Sequence, residues 1–218
     1  IGELYGGGYN AAYSIYGCTQ SGDTWTPQTS GDDPYVGVDD DAIQVKVFSC
    51  TSIGKVFGGG YGSTAQVIGN THVWINTMKG YVNGNIQPSI GKIGQVFGGG
   101  NAAPVKGSTL VDIGTATVSD KYSKEETEDI GVIITSANDF YLNPEWDGKT
   151  AATEHENITA GIYGGGKSAD VDGNTTLNIG TANQNLGVEI DASIFGGGYG
   201  SSTHVSGSVE VNIGKRTE

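Results

Sequence analysis

Asp139, Glu145 and Asp147 stand in one short stretch with Tyr141 and Trp146 between them. Two carboxyl groups about 5–9.5 Å apart across a groove can cleave a glycosidic bond, one as acid and one as base or nucleophile. Flat aromatic rings beside carboxylates suit sugar binding, because an indole face offers an apolar platform and the acids accept hydroxyl donors. The stretch shows no hydrophobic period, so it reads as a loop. Its residues are therefore candidates for binding rather than catalysis, and no catalytic residue is assigned. Trp74 joins them as a second aromatic, on the outward side of an alternating segment.

Other chemistries find less. The histidines His72, His155 and His204 are scattered, and no G-x-S-x-G stretch offers a nucleophile, so a Ser-His-Asp or Cys-His set is not expected. Three isolated histidines also make no zinc site. Asp170-Val171-Asp172-Gly173-Asn174 starts like a calcium loop, but its glycine comes too early and no closing glutamate follows. The run Asp39-Asp40-Asp41 reads as solvated charge, with weak calcium binding as its alternative; no other cofactor is expected. No GxGxxG or GK[ST] context accompanies the glycine runs, so they do not cradle phosphate.

Those glycine runs are instead the frame. Gly6-Gly7-Gly8, Gly58-Gly59-Gly60, Gly98-Gly99-Gly100, Gly164-Gly165-Gly166 and Gly196-Gly197-Gly198 each follow an aliphatic–aromatic pair: Leu4-Tyr5, Val56-Phe57, Val96-Phe97, Ile162-Tyr163, Ile194-Phe195. A single apolar residue two before a glycine follows each triplet, and then an alternating run. The last four runs read Thr71–Ile75, Thr109–Ile113, Thr175–Ile179 and Val209–Ile213, and the first is displaced to Ile43–Val47. Period two buries one face, here Val73, Val111, Leu177 and Val211 with Ile75, Ile113, Ile179 and Ile213. It leaves His72, Trp74, Asp112, Thr176, Asn178, Glu210 and Asn212 outward.

A three-part motif with variable spacers predicts a solenoid. The expected fold is all-β: a single-stranded parallel β-helix of about five coils, three short strands per coil. The triplets would nest as its corners, where only glycine allows positive φ or close backbone approach. The rings would stack into a ladder. The whole chain, 1–218, reads as one domain with insertions at 18–41, 76–95 and 114–160. Inserts on one face of a repeat fold often carry binding.

Composition narrows the partners. With Lys plus Arg 11 against Asp plus Glu 24, the net charge of -13 opposes phosphate backbones, so nucleic acid is not expected. No run of about 18 apolar residues is present, so membrane insertion is not expected either. Cys18 and Cys50 read either as two buried thiols or as one disulfide, which would need an oxidising compartment. The chain opens on Ile1, and both ends fall inside the motif, which suggests a fragment whose ends are met by flanking domains or coils of the same parent chain.

The motif [VIL]-[FY]-G-G-G followed by V-x-G-[NS]-[TV]-x-[VL]-x-I resembles the repeats of adhesin-like proteins on the cell surface of gut Bacteroidetes. The resemblance covers the motif copies and none of the inserts. It implies a secreted or cell-surface protein and carries over no site residue. More loosely, the pattern resembles the pectate-lyase-like superfold, whose lyases generally use a basic residue as proton acceptor. The single arginine, Arg216, lies at the end of the chain and offers little toward that. The expected function is therefore a non-enzymatic adhesin or rigid display scaffold, binding a glycan or a host or bacterial surface protein through its inserts. The alternative is a polysaccharide hydrolase or lyase.

Overall fold

The computed structural model describes residues 1–30, 42–47, 50–75, 78–79, 90–115, 118–119, 132–134, 161–180, 188–190 and 192–214. Their regular structure is entirely β, with no helix among the described residues.

Each aliphatic–aromatic pair ends a strand of the first sheet. Glu3–Tyr5 pairs in parallel with Cys50–Phe57, and that strand with Ile90–Phe97. Gly161–Tyr163 and then Ser193–Phe195 continue the order. The register puts Tyr5, Phe57, Phe97, Tyr163 and Phe195 in one column. The alternating runs form a second large parallel sheet, the outer sheet, from Ala42–Val47, Asn70–Ile75, Thr109–Ile113, Thr175–Ile179 and Val209–Ile213. Its register is the one the repeat predicts, with Val45, Val73, Val111, Leu177 and Val211 opposite one another. Between the two sheets along the chain, Tyr13–Ser14, Val67–Ile68 and Val105–Lys106 pair in parallel, and single bridges carry the order on to Val171 and Val205. Equivalent positions of the five motif copies thus lie one on the next, and each copy is termed a level.

The expected fold class is nevertheless overturned. Instead of a single-stranded β-helix of five three-strand coils, the described residues make several parallel sheets and trace no closed solenoid. The first sheet branches: Ile90–Phe97 pairs through Phe97 with Gly161–Tyr163 and through Ile93 with Val132–Ile134, which pairs in turn with Val188–Ile190. Cys18–Ser21 and Thr24–Pro27 form an antiparallel hairpin, and Met78–Lys79 pairs with Val118–Ser119 apart from the large sheets. The physical reason lies within the insertions 76–95 and 114–160. Val132-Ile133-Ile134 is a β-branched run, and Ile90–Gln95 extends the strand toward Phe97. A long strand exposes a row of unpaired N–H and C=O groups, and any extended apolar run within reach satisfies them.

An aliphatic core lies between the two large sheets and includes Ile53, Val56, Val73, Ile93, Val96, Val111, Ile162 and Leu177. Phe57, Phe97 and Tyr163 form a separate cluster, so the rings point away from that core. The triplets stack in one column, Gly7 N–H donating to Gly59 O, Gly59 to Gly99, Gly99 to Gly165 and Gly165 to Gly197. Close approach is what demands glycine there. A Cβ on Gly58 would sit 2.1 Å from the Gly98 carbonyl oxygen, and one on Gly98 equally close to that of Gly164. The left-handed turn falls two residues after each triplet, at Asn10, Gly62, Ala102, Ser168 and Gly200.

A threonine column locks the triplets to the outer sheet. Thr71 Oγ1 donates to Gly98 O at 2.6 Å, Thr109 to Gly164 at 2.5 Å and Thr175 to Gly196 at 2.7 Å. The three hydroxyls are buried with a partner each, as buried polar groups must be.

Candidate functional site

Alternation along the outer sheet turns every second side chain away from the core, and the parallel register then lines up equals at one strand spacing. One row holds Gln44, His72, Leu110, Thr176 and Glu210; the next holds Lys46, Trp74, Asp112, Asn178 and Asn212. The rows are joined by hydrogen bonds. His72 Nε2 lies 2.7 Å from Asp112 Oδ2, and with Asp112 as carboxylate the imidazole N–H donates. Asn178 Nδ2 donates to Asp112 Oδ1 at 2.8 Å, and Asn212 Nδ2 to Asn178 Oδ1 at 2.9 Å. Asn212 also reaches Glu210 at 3.1 Å. The Lys46 ammonium sits 5.6 Å from the centre of the half-buried Trp74 ring, within cation–π range.

An imidazole held by a carboxylate is two members of a nucleophile-activating set. Here the imidazole has the Trp74 indole beside it on its own strand and Gln44 and Leu110 opposite it across the sheet, while the carboxylate is held by the Asn178 amide. An apolar ring beside a graded row of ammonium, carboxylate and amides can accept and donate to the hydroxyls of a flat polar ligand.

The first sheet carries a second constellation. Its rings stack nearly parallel, 4.7 Å from Tyr5 to Phe57, 4.7 Å to Phe97, 4.8 Å to Tyr163 and 5.0 Å to Phe195. At the Tyr5 end, the Tyr5 hydroxyl donates to Glu3 Oε2 at 2.5 Å, and Lys55 Nζ donates to Glu3 Oε1 at 2.9 Å. Asn101 Nδ2 donates to the Tyr5 oxygen at 3.1 Å. Burial would raise the Glu3 carboxyl, but the bonds from Lys55 and Tyr5 outweigh it and hold Glu3 below the usual carboxylate range. Burial, then the bond to Glu3, holds the Tyr5 phenol far above its ordinary value. Burial also draws the Lys167 ammonium down, with the Lys55 charge acting the same way.

Three levels further along, Tyr163 sits in the same column without that support. The position two before it is Gly161 where Tyr5 has Glu3, and the Tyr163 hydroxyl lies over the bare glycine. That hydroxyl is buried with no hydrogen-bond partner. Burial, with Tyr199 beside it, pushes its pKa up to about 12.

Of the sequence-predicted site residues, Trp74 lies in the polar row. Asp139, Tyr141, Glu145, Trp146 and Asp147 lie outside the described residues, as do Asp39-Asp40-Asp41, His155 and Arg216. His204 lies beside Asp170, whose Oδ1 accepts the His204 backbone N–H at 2.8 Å, and Asp172 pairs with Lys106 at 3.0 Å. Cys18 is exposed and Cys50 partly buried, both as thiols not joined to each other. The sequence reading put His72, Asp112, Asn178 and Asn212 on the outward face but assigned them no role. Their contacts run between levels, and the signal was their shared offset in the repeat. Comparisons with protein-family models, with curated proteins and with solved structures find no match to this chain.

Proposed function

We propose that the chain is a non-enzymatic adhesion or display module of a secreted or cell-surface protein, and that the outer sheet around Trp74 binds a glycan. One observation carries the reading: Lys46, Trp74, Asp112, Asn178 and Asn212 share one row, each on its own strand. Such a row offers a ligand an apolar face and regularly spaced polar groups, at a pitch of about 4.8 Å set by the sheet. Chains of sugar rings present hydroxyls and apolar faces in a similar alternation. The extracellular setting rests on the resemblance of the motif to adhesin-like repeats, and Tyr141 and Trp146 of the insertion 114–160 belong to the same proposal as a second contact.

A glycan array probed with the wild-type chain, Trp74→Ala and Trp146→Ala tests it. Binding by the wild type, reduced at least tenfold in Trp74→Ala with an unchanged melting temperature, is the expected result. A wild type that binds no glycan, or a Trp74→Ala protein that binds as well as wild type, overturns the assignment. Release of shortened sugars would turn it toward the hydrolase or lyase alternative.

A further inference from the structure

Beside the ring column runs a second one, Tyr9, Tyr61, Asn101, Lys167 and Tyr199, bridged in parallel from level to level. Its members lean back toward earlier levels. Tyr61 meets the Tyr5 ring edge-on at 5.7 Å, and Tyr199 meets Tyr163 in the same way at 5.5 Å. Asn101 reaches two levels back, its Nδ2 donating to the Tyr5 oxygen at 3.1 Å. Lys167 stands one strand spacing, about 4.8 Å, beyond Asn101 in the same column. The charges that act on its ammonium are those of Lys55 and Glu3, two and three levels back. Its flexible four-carbon stem therefore runs past the Asn101 carboxamide. Among the described residues that half-buried ammonium has no hydrogen-bond or ion-pair partner.

We propose that Lys167 and Asn101 join through an amide between their side chains, stapling the third level to the fourth. Lys167 Nζ attacks Asn101 Cγ, the Nζ–Cγ bond forms, and the Cγ–Nδ2 bond breaks. Of the three protons on the Lys167 ammonium, one stays on the new amide nitrogen. The other two pass to Nδ2, which leaves as ammonium, so the step needs no oxidant and no co-reactant. A proton path is in place. The Tyr5 hydroxyl touches both ends of it, accepting from Asn101 Nδ2 and donating to Glu3 Oε2 at 2.5 Å. Glu3 takes up a proton from Lys167, and Tyr5 passes its own to Nδ2 as it takes one from Glu3. Lys55, 2.9 Å from Glu3, keeps that carboxyl ionised and ready to accept. Burial, then the Lys55 charge, draws the Lys167 ammonium down and so favours the neutral amine that attacks. The position suits a staple. The third and fourth triplets are the pair set furthest apart along the chain, and a cross-link that closes a long loop restricts the unfolded chain most. The site lies beside the ring column and is independent of the glycan reading.

Mass spectrometry of the purified whole chain tests it. The wild type is expected to weigh less than its sequence by one ammonia, and its protease digest to hold a branched peptide joining Asn101 to Lys167. Lys167→Arg keeps the charge but not the primary amine, so it should show the full mass and melt below wild type. Glu3→Gln should still fold, yet its cross-linked fraction should fall at least tenfold. A wild type at full mass overturns the proposal, and that measurement depends on no variant. So does a wild type short of one ammonia whose digest holds no branched peptide, which would mean an asparagine cyclised on its own backbone. Loss of ammonia that persists in Lys167→Arg overturns it as well. A Glu3→Gln chain as fully cross-linked as wild type would overturn the proton path.

Discussion

The ring column of the first sheet and the polar row of the outer sheet are built by the same device and end differently. Both come from one side chain per level, repeated in register across parallel strands. In the ring column three of the five members, Phe57, Phe97 and Tyr163, are buried. In the polar row Asp112, and beside it His72, keep side-chain exposures of 16 and 14%. A ring satisfies its neighbour by offering a face, and identical neighbours suffice, each stacked pair adding about 0.5–1.5 kcal/mol. A polar group needs a complementary partner, so that row must vary from level to level: ammonium, indole, carboxylate, amide, amide. Variation leaves unspent hydrogen-bonding capacity facing outward. The regular column is suited to holding levels together, and the varied row is suited to meeting a ligand.

The comparison breaks most readily at the centre of the ring column. Phe97→Ala removes a fully buried ring stacked on both faces and should cost about 3–5 kcal/mol in denaturant unfolding. A loss below about 1 kcal/mol would mean that the column contributes little. The polar row should yield less. Asp112→Ala strands His72 and Asn178 together and should cost about 1–2 kcal/mol, because both groups keep some access to water. A loss equal to that of Phe97→Ala would erase the distinction between the two columns.

A finer test lies within the ring column, where two tyrosines stand in one register with opposite surroundings. Tyr5→Phe gives up bonds to Glu3 and Asn101 and should destabilise by about 1 kcal/mol. Tyr163→Phe removes an orphaned buried hydroxyl and should stabilise by about 1 kcal/mol. Thermal melts of the two variants should therefore shift in opposite directions. Equal shifts would show that the hydroxyls are irrelevant to the column.

The smallest effect is with pH. The Glu3 carboxyl is held below its ordinary value, so the folded state binds that proton less readily than the unfolded chain. Its stabilisation is therefore present above the usual carboxylate range and fades as pH falls through the lowered value. Glu3 is partly exposed, and solvent screening keeps the effect below about 1 kcal/mol. The stability difference between wild type and Glu3→Gln should shrink as pH is lowered through that range. A difference that stays constant would remove Glu3 from the account.

Much of the site's raw material was legible in the residues. Period two assigned inward and outward faces correctly along Asn70–Ile75, Thr109–Ile113 and Thr175–Ile179, because alternation follows directly from strand geometry. The triplet column was legible for a similar reason, since only close backbone approach makes three consecutive glycines useful after a buried ring. The fold class was not. Val132-Ile133-Ile134 sits within a long polar segment, and its partner Ile93 is far away in sequence, so nothing local showed that the run would branch the first sheet. The threonine column was also missed, because a Thr at the start of a strand looks like β-propensity until the carbonyl above it is known.

By itself, then, the sequence determined strand register, side-chain facing and the need for glycine at every triplet position but Gly197, all properties of a chain and its immediate repeat. The tertiary structure decided which sheet each extended run joined, which tyrosine hydroxyl found a partner, and that His72 meets Asp112 across levels. Those outcomes depend on contacts between residues remote in sequence, where the free energy of pairing is set by what lies on the neighbouring strand and not by what precedes or follows along the chain.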